Sequence, residues 1–343
     1  MTYTMKWARK TLTEKTDTQT AKQSFAEGDL QFSTATWSGT EFQASRTLEF
    51  TIPWNPYDKT FQNPAVDLGD IIRFYEDGKL LFMGVVTDRN KTDAPGAASY
   101  IARDFIHYLL KSNFTKAFHN ITPAKVAKRM CKKVGMKTGK LKGKGYNIQT
   151  LIVEDKSLYD IIMRSYFKLY QAKGKRCMPV MDADNNFCVI LKGKDSGVTL
   201  DATNDVIGAT YHDTADNMVN KVLIYNENRE KTGKVKDKAL IEKHGTYIAT
   251  YKEEEGVNAK SAAKALLVGV TQEASIQAVG NSAARAGYAI AIREPALNLT
   301  GIFFISSDKH EFHDGIHTME LELVWQNKIE EGADEEDDVE EGD

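Results

Sequence analysis

Between Asp70 and Arg89 the sequence D-I-I-R-F-Y-E-D-G-K-L-L-F-M-G-V-V-T-D-R sets two runs rich in Ile, Phe, Tyr and Val on either side of Asp77-Gly78. A type I′ turn needs positive φ at both central residues. Asp tolerates that conformation and Gly adopts it freely, so the pair predicts a two-residue β-hairpin with Glu76 facing Lys79. The first arm alternates Ile71, Arg73 and Tyr75 against Ile72, Phe74 and Glu76. The second arm, Leu80 to Val86, is apolar at nearly every position, which is the pattern of a strand buried on both faces. One face of a strand in a monomeric sandwich is normally wetter, so this arm predicts a closed barrel or a strand covered by a neighbouring subunit.

At 343 residues the chain exceeds what one core usually serves, and roughly two to three domains are expected. No apolar run approaches the ~20 residues of a membrane span, and M-T-Y-T-M-K-W-A-R-K lacks the apolar core of a signal peptide. The expectation is a protein made in a cytoplasm. Cys131, Cys177 and Cys188 have no paired spacing, which suits buried thiols in a reducing compartment. Glu330 to Asp343 carries ten carboxylates and no cation, leaving +7 on the rest of a chain whose net charge is -3. Such a segment repels itself and buries nothing, so residues 327–343 are expected to be a disordered, solubilising acidic tail. The body is too weakly basic to indicate nucleic acid without a motif.

Residues 1–103 read as one β domain. Met1 to Arg9 is a strand, Thr11 to Glu27 a polar loop, Ser45 to Ile52 a strand stopped by Pro53, and Trp54 to Pro64 a turn-rich approach to the hairpin. Helical period begins near Asp104, with Phe105, Tyr108 and Leu109 on one face. Thr122-Pro123 announces a second helix, with Val126, Ala127, Met130 and Val134 inward and Gly135 as its stop. Lys132 to Tyr146 reads as a loop with six lysines and four glycines. A third helix runs from about Ser157 to Ala172, with Leu158, Ile161, Ile162, Tyr166 and Leu169 inward and Gly174 as its end. Met178 to Met181 and Phe187 to Leu191 make a hairpin around D-A-D-N-N. Residues 104–195 are thus an α+β domain. From Ser196 the β signal returns: Asn220 to Tyr225 and Tyr247 to Tyr251 are strands, and Asn226 to Lys238 is a charged loop. A helical insertion near 258–270 is capped by Asn258. Strands at Tyr288 to Ile292, Gly301 to Ser306 and His317 to Trp325 complete a domain over 196–326. The fold class is α+β, mainly β, in the order β, α+β, β.

The sharpest candidates for chemistry are His310, His313 and His317, with Glu311 and Asp314 beside them. Three imidazoles with an open fourth position could hold a catalytic zinc, and a zinc-dependent hydrolase is the alternative reading. Strand parity opposes it, because Asp314-Gly315 looks like a turn and His310 and His313 then point to opposite faces of one arm. The spacing is not H-E-x-x-H either, so the three read as polar hairpin histidines. D-A-D-N-N opens like a calcium loop but has Phe187 where Gly is needed and Gly193 where Glu is needed. The K-T-G-K strings at 137–140 and 231–234 lack the frame of a phosphate loop and read as solvated basic loops. Lining a channel, they would face an acidic partner or DNA. There is no G-x-S-x-G elbow and no Cys in a protease context. No catalytic, cofactor-binding or metal residue is assigned.

Several stretches together resemble the XkdQ/YqbQ-type hub proteins of contractile phage tails and tail-derived bacteriocins. The hairpin ending F-M-G-V-V-T-D-R is similar to that family's first-domain pattern. Y-I-A-R-D-F-I-H-Y-L-L-K-S, I-T-P-A-K-V-A-K-R-M-C-K-K-V-G and D-K-S-L-Y-D-I-I-M-R-S-Y resemble its successive helices. G-I-F-F-I-S-S-D-K-H-E-F-H-D-G-I-H-T-M-E-L-E-L resembles its closing hairpin. Order and spacing over residues 30 to 326 carry the match. The resemblance implies a non-enzymatic homotrimer around a channel, in which two tube-like β-barrel domains per chain give a pseudo-sixfold ring. That ring would adapt the sixfold tail tube to the threefold central spike, much like the hub portion of type VI secretion spike proteins. The implied partners are tail tube, central spike, tape measure and other baseplate proteins, with no membrane and no sequence-specific nucleic acid. The implied location is a virion or tail-like particle assembled in the bacterial host cytoplasm.

Overall fold

The computed structural model describes residues 1–12, 23–41, 45–254 and 258–325. The acidic segment 327–343 lies outside the described residues. The chain forms two compact units, Met1–Gly208 with Ile276–Asp343, and Ala209–Ser275. It is mainly β, and among the described residues three α-helices fall between residues 106 and 173 and two short ones between 238 and 265.

In the larger unit β1 (Tyr3–Leu12) pairs with β2 (Gln23–Leu30) on one side and, further on, with β5 (Ile71–Glu76) on the other. Of the polar loop expected over Thr11 to Glu27, β1 takes the first two residues and β2 the last five, and residues 13–22 fall outside the described set. The reason is position: β2 ends the sheet, where exposed Ala26, Glu27 and Asp29 cost nothing. β3 (Thr34–Thr40) pairs with β4 (Thr47–Trp54), which runs on through Pro53 because Pro53 lies past the last β3 pair, Thr34 with Thr51. β5 and β6 (Lys79–Asn90) form the expected hairpin, with Glu76 opposite Lys79 and φ of 47° at Asp77 and 76° at Gly78. No residue from Leu80 to Thr87 is exposed, and Phe82, Gly84, Val85 and Val86 are buried. β7 (Gly96–Asp104) lies between β6 and β4. Gly84 is required there, since a Cβ would sit 2.3 Å from the Arg103 carbonyl oxygen. Trp37, Phe50, Phe74, Tyr100, Ile52 and Ile72 fill this core.

The middle segment has its own core. α1 (Ile106–Leu110) is short and buries Ile106 and Leu109, leaving Tyr108 outside rather than on the inner face. β8 (Asn113–Ile121) precedes α2 (Pro123–Lys133), in which Thr122 Oγ1 accepts from Lys125 N and Pro123 occupies the first turn. β9 (Thr138–Leu141) replaces part of the expected lysine loop. β10 (Ile148–Ser157) pairs with β8, and neither strand was anticipated, because only scattered residues such as Phe118, Ile121, Ile148, Leu151 and Val153 turn inward. α3 (Leu158–Lys173) starts at Ser157, whose Oγ accepts from Asp160 N at 3.0 Å, and ends at Gly174, whose φ is 64°. All five of its predicted inward residues are buried. β11 (Cys177–Met181) and β12 (Phe187–Leu191) form the expected hairpin, and β9 joins β12 in parallel. β13 (Lys194–Asp201) then leads into β14 (Val206–Thr214), within which the smaller unit begins.

In the smaller unit β15 (Lys221–Tyr225) pairs antiparallel with β16 (Lys231–Lys236). α4 (Lys238–His244) follows, and then β17 (Ile248–Lys252), which pairs with β15 in parallel. β16 lies inside the expected charged loop 226–238; its lysines sit on the open side of a three-stranded sheet. α5 (Ala259–Ala265) is capped by Asn258 Oδ1 accepting from Ser261 N at 3.0 Å, and it ends five residues before Val270. Ala263 packs on Val222 and Ile224.

β18 (Thr271–Val279) returns to the larger unit, followed by β19 (Tyr288–Glu294), β20 (Leu299–His313) and β21 (Ile316–Val324). β19 lies on β13 and β20. β20 pairs with β21 and, over Ser307 to His313, with β3. One sheet therefore runs β21-β20-β3-β4-β7-β6-β5-β1-β2, joining strands from the two ends of the chain.

Candidate functional site

The closing hairpin turns at Asp314 and Gly315, with φ of 51° and 76°, so Phe312 faces His317 and His310 faces Met319. His310 and His317 are then diagonal neighbours on one face, while His313 belongs to the other. Side-chain exposure follows that parity: His310 0%, His317 3%, His313 48%. The three histidines are therefore not one constellation. His313 sits by the turn, 3.7 Å from Asp314, and Glu311 pairs outside with Lys309 at 2.7 Å. His310 and His317 are not solvated hairpin residues: Trp37 of β3 lies 5.3 Å from the His310 ring and Tyr3 of β1 lies 5.7 Å from the His317 ring.

Asp308, two residues before His310, shares the inward parity and is also buried. Both its oxygens are taken by the Arg46 guanidinium, and Oδ1 also accepts from Ala286 N at 2.6 Å. Burial alone would push the Asp308 carboxyl up, but the charge and hydrogen bonds of Arg46, with His310 beside them, hold it well below the usual carboxylate range. Arg46 in turn lies over the Trp37 ring at 4.1 Å. His310 Nε2 faces two acceptors, the Ala284 carbonyl oxygen at 3.0 Å and Asp308 at 3.3 Å, so it carries a proton. His310 Nδ1 and His317 Nε2 lie 3.0 Å apart, so one hydrogen joins them. Nitrogens aimed at each other are not aimed at a shared cation. Among the described residues His317 Nδ1 has no hydrogen-bond partner, and it lies 3.8 Å from Glu76. Burial, with His310 beside it, pushes the His317 pKa down to about 3. The ring stacks on Phe312 at 4.2 Å, and Gly280 leaves room for it, since a Cβ there would meet His317 at 2.1 Å.

The network borders an open cleft of ≈ 930 Å³ lined by Arg46, Glu76, Lys79, Asp104 and Arg285 among others. Asp104 accepts from the backbone N–H groups of Arg46 and Ile106, and burial pushes its carboxyl up to about 6. Sequence reasoning missed Asp308, although its spacing from His310 and Phe312 was a legible signal. Arg46 carried no signal at all, being 262 residues away. The D-A-D-N-N stretch is a hairpin turn in which Asp182 Oδ1 accepts from the N–H groups of Asp184 and Asn186. The two K-T-G-K strings form β9 with its approach and the first part of β16.

This fold, closed by a C-terminal hairpin against an N-terminal strand, is that of a known class of tail proteins. The profile of the YqbQ-like family matches residues 35–324, and the chain belongs to that family. It is 28% identical over 316 residues to the uncharacterized protein YqbQ of Bacillus subtilis, covering 86% of this chain and 92% of that protein. Identity is 26% over 315 residues to XkdQ of the phage-like element PBSX in the same organism, covering 86% and 93%. Among solved structures, the 43 kDa tail protein of prophage MuSo2 from Shewanella oneidensis superposes with a TM-score of 0.66 at 15% identity, covering 93% of this chain and 97% of that one. An E. coli component of the type VI secretion system, described as structurally similar to the T4 tail proteins gp27 and gp5, gives 0.52 at 10% identity, covering 86% and 73%. The resemblance drawn from residue order is thus upheld.

Proposed function

We propose that this chain is a baseplate hub of a contractile phage tail or tail-like particle, a structural protein that acts through its interfaces and not through bond chemistry. Three copies form a ring around a channel and join the sixfold tail tube to the threefold central spike. The observation that carries this reading is the pairing of β20 with β3, which lays strands from residues 34–54 and 299–324 edge to edge in one sheet. A chain whose two ends supply adjacent β sectors gives six sectors from three copies. In this reading residues 1–103 and 196–326 are the two tube-like domains, with 104–195 as the α+β domain between them. Kinship with a protein of a phage-like element, and a fold shared with a secretion component likened to gp27, support it. The partners that follow are tube, spike, tape measure and neighbouring baseplate proteins, in a particle assembled in the host cytoplasm.

Native mass spectrometry tests the proposal on the purified chain and on the chain co-expressed with its spike protein. A species near three times 38.4 kDa, alone or on the spike, is expected, and imaging should resolve a ring. A monomer under both conditions would overturn the trimeric hub.

A further inference from the structure

Residues 280–287 join β18 to β19 along the border of the open cleft of ≈ 930 Å³. The buried network clamps their backbone: the Ala284 carbonyl oxygen accepts from His310 Nε2 at 3.0 Å, and Ala286 N donates to Asp308 Oδ1 at 2.6 Å. Arg285 lies between these two anchors and is thereby held in the cleft wall. Its guanidinium has five N–H donors, and the described residues take one of them, an Nη2 contact of 3.5 Å to the Tyr288 hydroxyl. Nε is buried with no hydrogen-bond partner among the described residues, and no carboxylate there lies within ion-pair distance. Burial pushes the Arg285 guanidinium below its ordinary range, with Tyr288 and Asp308 opposing and Arg46 adding to the effect. An arginine does not shed its proton in a protein. A desolvated guanidinium short of partners is therefore a standing cost that an incoming anion removes.

The rest of the lining selects the anion. Four of the five carboxyl groups in the cleft are already engaged: Glu41 with Lys192 at 2.7 Å, Glu76 with Ser282 and Tyr3, Asp104 with the backbone N–H groups of Arg46 and Ile106, and Asp182 with those of Asp184 and Asn186. Asp184 is exposed on its hairpin turn, as are the cations Lys79 and Lys140, and Arg46 is taken by Asp308. With four cations against five carboxyl groups, the cleft disfavours a dianion such as phosphate, whereas a single carboxylate matches the planar guanidinium fork. The walls near Arg285 are apolar. Met178 fills the space that a Cβ on Gly287 would take, 2.1 Å from its sulfur, and Leu81, Met83, Val180 and Ile190 line the same cleft, each only half-buried. Methionine adapts to ligands of varied shape, and a cleft of this volume suits a compact organic ligand. We propose that the cleft binds a carboxylate carried on an apolar body, with Arg285 pairing to the carboxylate and the wall around Met178 taking the apolar part. The carboxylate belongs either to a free organic acid or to an acidic side chain on an apolar polypeptide segment.

NMR of the full chain with labelled methionine methyls tests this. Met83, Met178 and Met181 line the cleft, while Met130 and Met218 lie outside it and serve as references. Hexanoate should shift the three cleft methyls saturably and leave the two references unmoved. Affinity should rise from acetate through butanoate to hexanoate by up to about fourfold per buried methylene. Hexanol, which lacks the charge, should bind at least about tenfold more weakly than hexanoate. Arg285→Gln should lose the same factor, and Arg285→Lys should keep part of it. The tripeptide acetyl-Leu-Glu-Leu-amide separates the two sources: tighter binding than hexanoate assigns the carboxylate to a polypeptide, and weaker binding assigns it to a free acid. Equal affinity for hexanol and hexanoate, which needs no variant to observe, would overturn the proposal. So would hexanoate binding unchanged by Arg285→Gln, tighter binding of inorganic phosphate, or no saturable shift at the cleft methyls.

Discussion

Arg46 and Asp308 meet as a two-pronged ion pair across 262 residues of sequence, and the carboxylate is wholly buried. Arg46 precedes β4 and Asp308 lies within β20, so the pair fastens the C-terminal hairpin to the N-terminal strands. Such a pair gains little over apolar packing, yet breaking it strands a charge away from water. Arg46→Met or Asp308→Asn is expected to lower stability by about 3–5 kcal/mol, and the double variant Arg46→Met/Asp308→Leu by clearly less than the sum. Urea midpoints of the four chains check this.

His317 sets a pH dependence. Its pKa of about 3 in the fold lies below the ordinary value of 6.5, so the unfolded chain binds the extra proton between these limits. Its stabilising contribution is complete above pH 6.5 and is lost as the pH falls, at up to about 1.4 kcal/mol per unit. Asp104 works in the opposite sense, since a carboxyl raised to about 6 loses stability as the pH climbs from the ordinary carboxylate value towards 6. Both chains keep Asp104, so comparing them isolates the histidine. The stability difference between the parent and His317→Gln, read as urea midpoints at each pH, should move in the parent's favour by up to about 1.4 kcal/mol per unit as the pH rises from about 4.5 to 6.5.

Gly84 sits opposite Asp104 on neighbouring strands, where a methyl group would lie 2.3 Å from the Arg103 carbonyl oxygen and 2.5 Å from Phe82. Backbone on one side leaves nothing cheap to move. Gly84→Ala should cost about 3 kcal/mol, at the upper end of overpacking effects. Gly78→Ala meets no neighbour and carries only the strain of positive φ, about 1 kcal/mol. Thermal melts of the two variants should rank them in that order.

Val222 is the centre of the small core of residues 209–275, packed with Ile224 and Ala263. Val222→Ala should weaken that unit by about 2 kcal/mol. Hydrogen exchange should then quicken in β15, β16 and β17 while β3 to β7 keep their protection. Equal acceleration in both units would show that the two unfold together.

Local chemistry made part of this fold readable. Asp77-Gly78 defines a hairpin, and Thr122, Ser157 and Asn258 start helices, because those residues satisfy backbone groups within four positions of themselves. β2, β8, β10 and β16 escaped notice for a common reason: each leaves one side to water or to a sheet edge, and few of its residues are apolar. At the candidate site parity alone separated His313 from His310. The same parity, counted across the Asp314-Gly315 turn, would have paired His310 with His317.

Burial of that pair could not be read from the hairpin. It depends on β3 lying alongside β20 with Trp37 over the imidazole, and on Arg46 and Gly280 arriving from distant parts of the chain. By itself the sequence determined turns, caps and the alternation along each strand, since these depend on neighbours a few residues away. Only the tertiary structure decided which strands pair across the molecule and which charges lose water, because a carboxylate such as Asp308 is held ionised by a partner that no local pattern names.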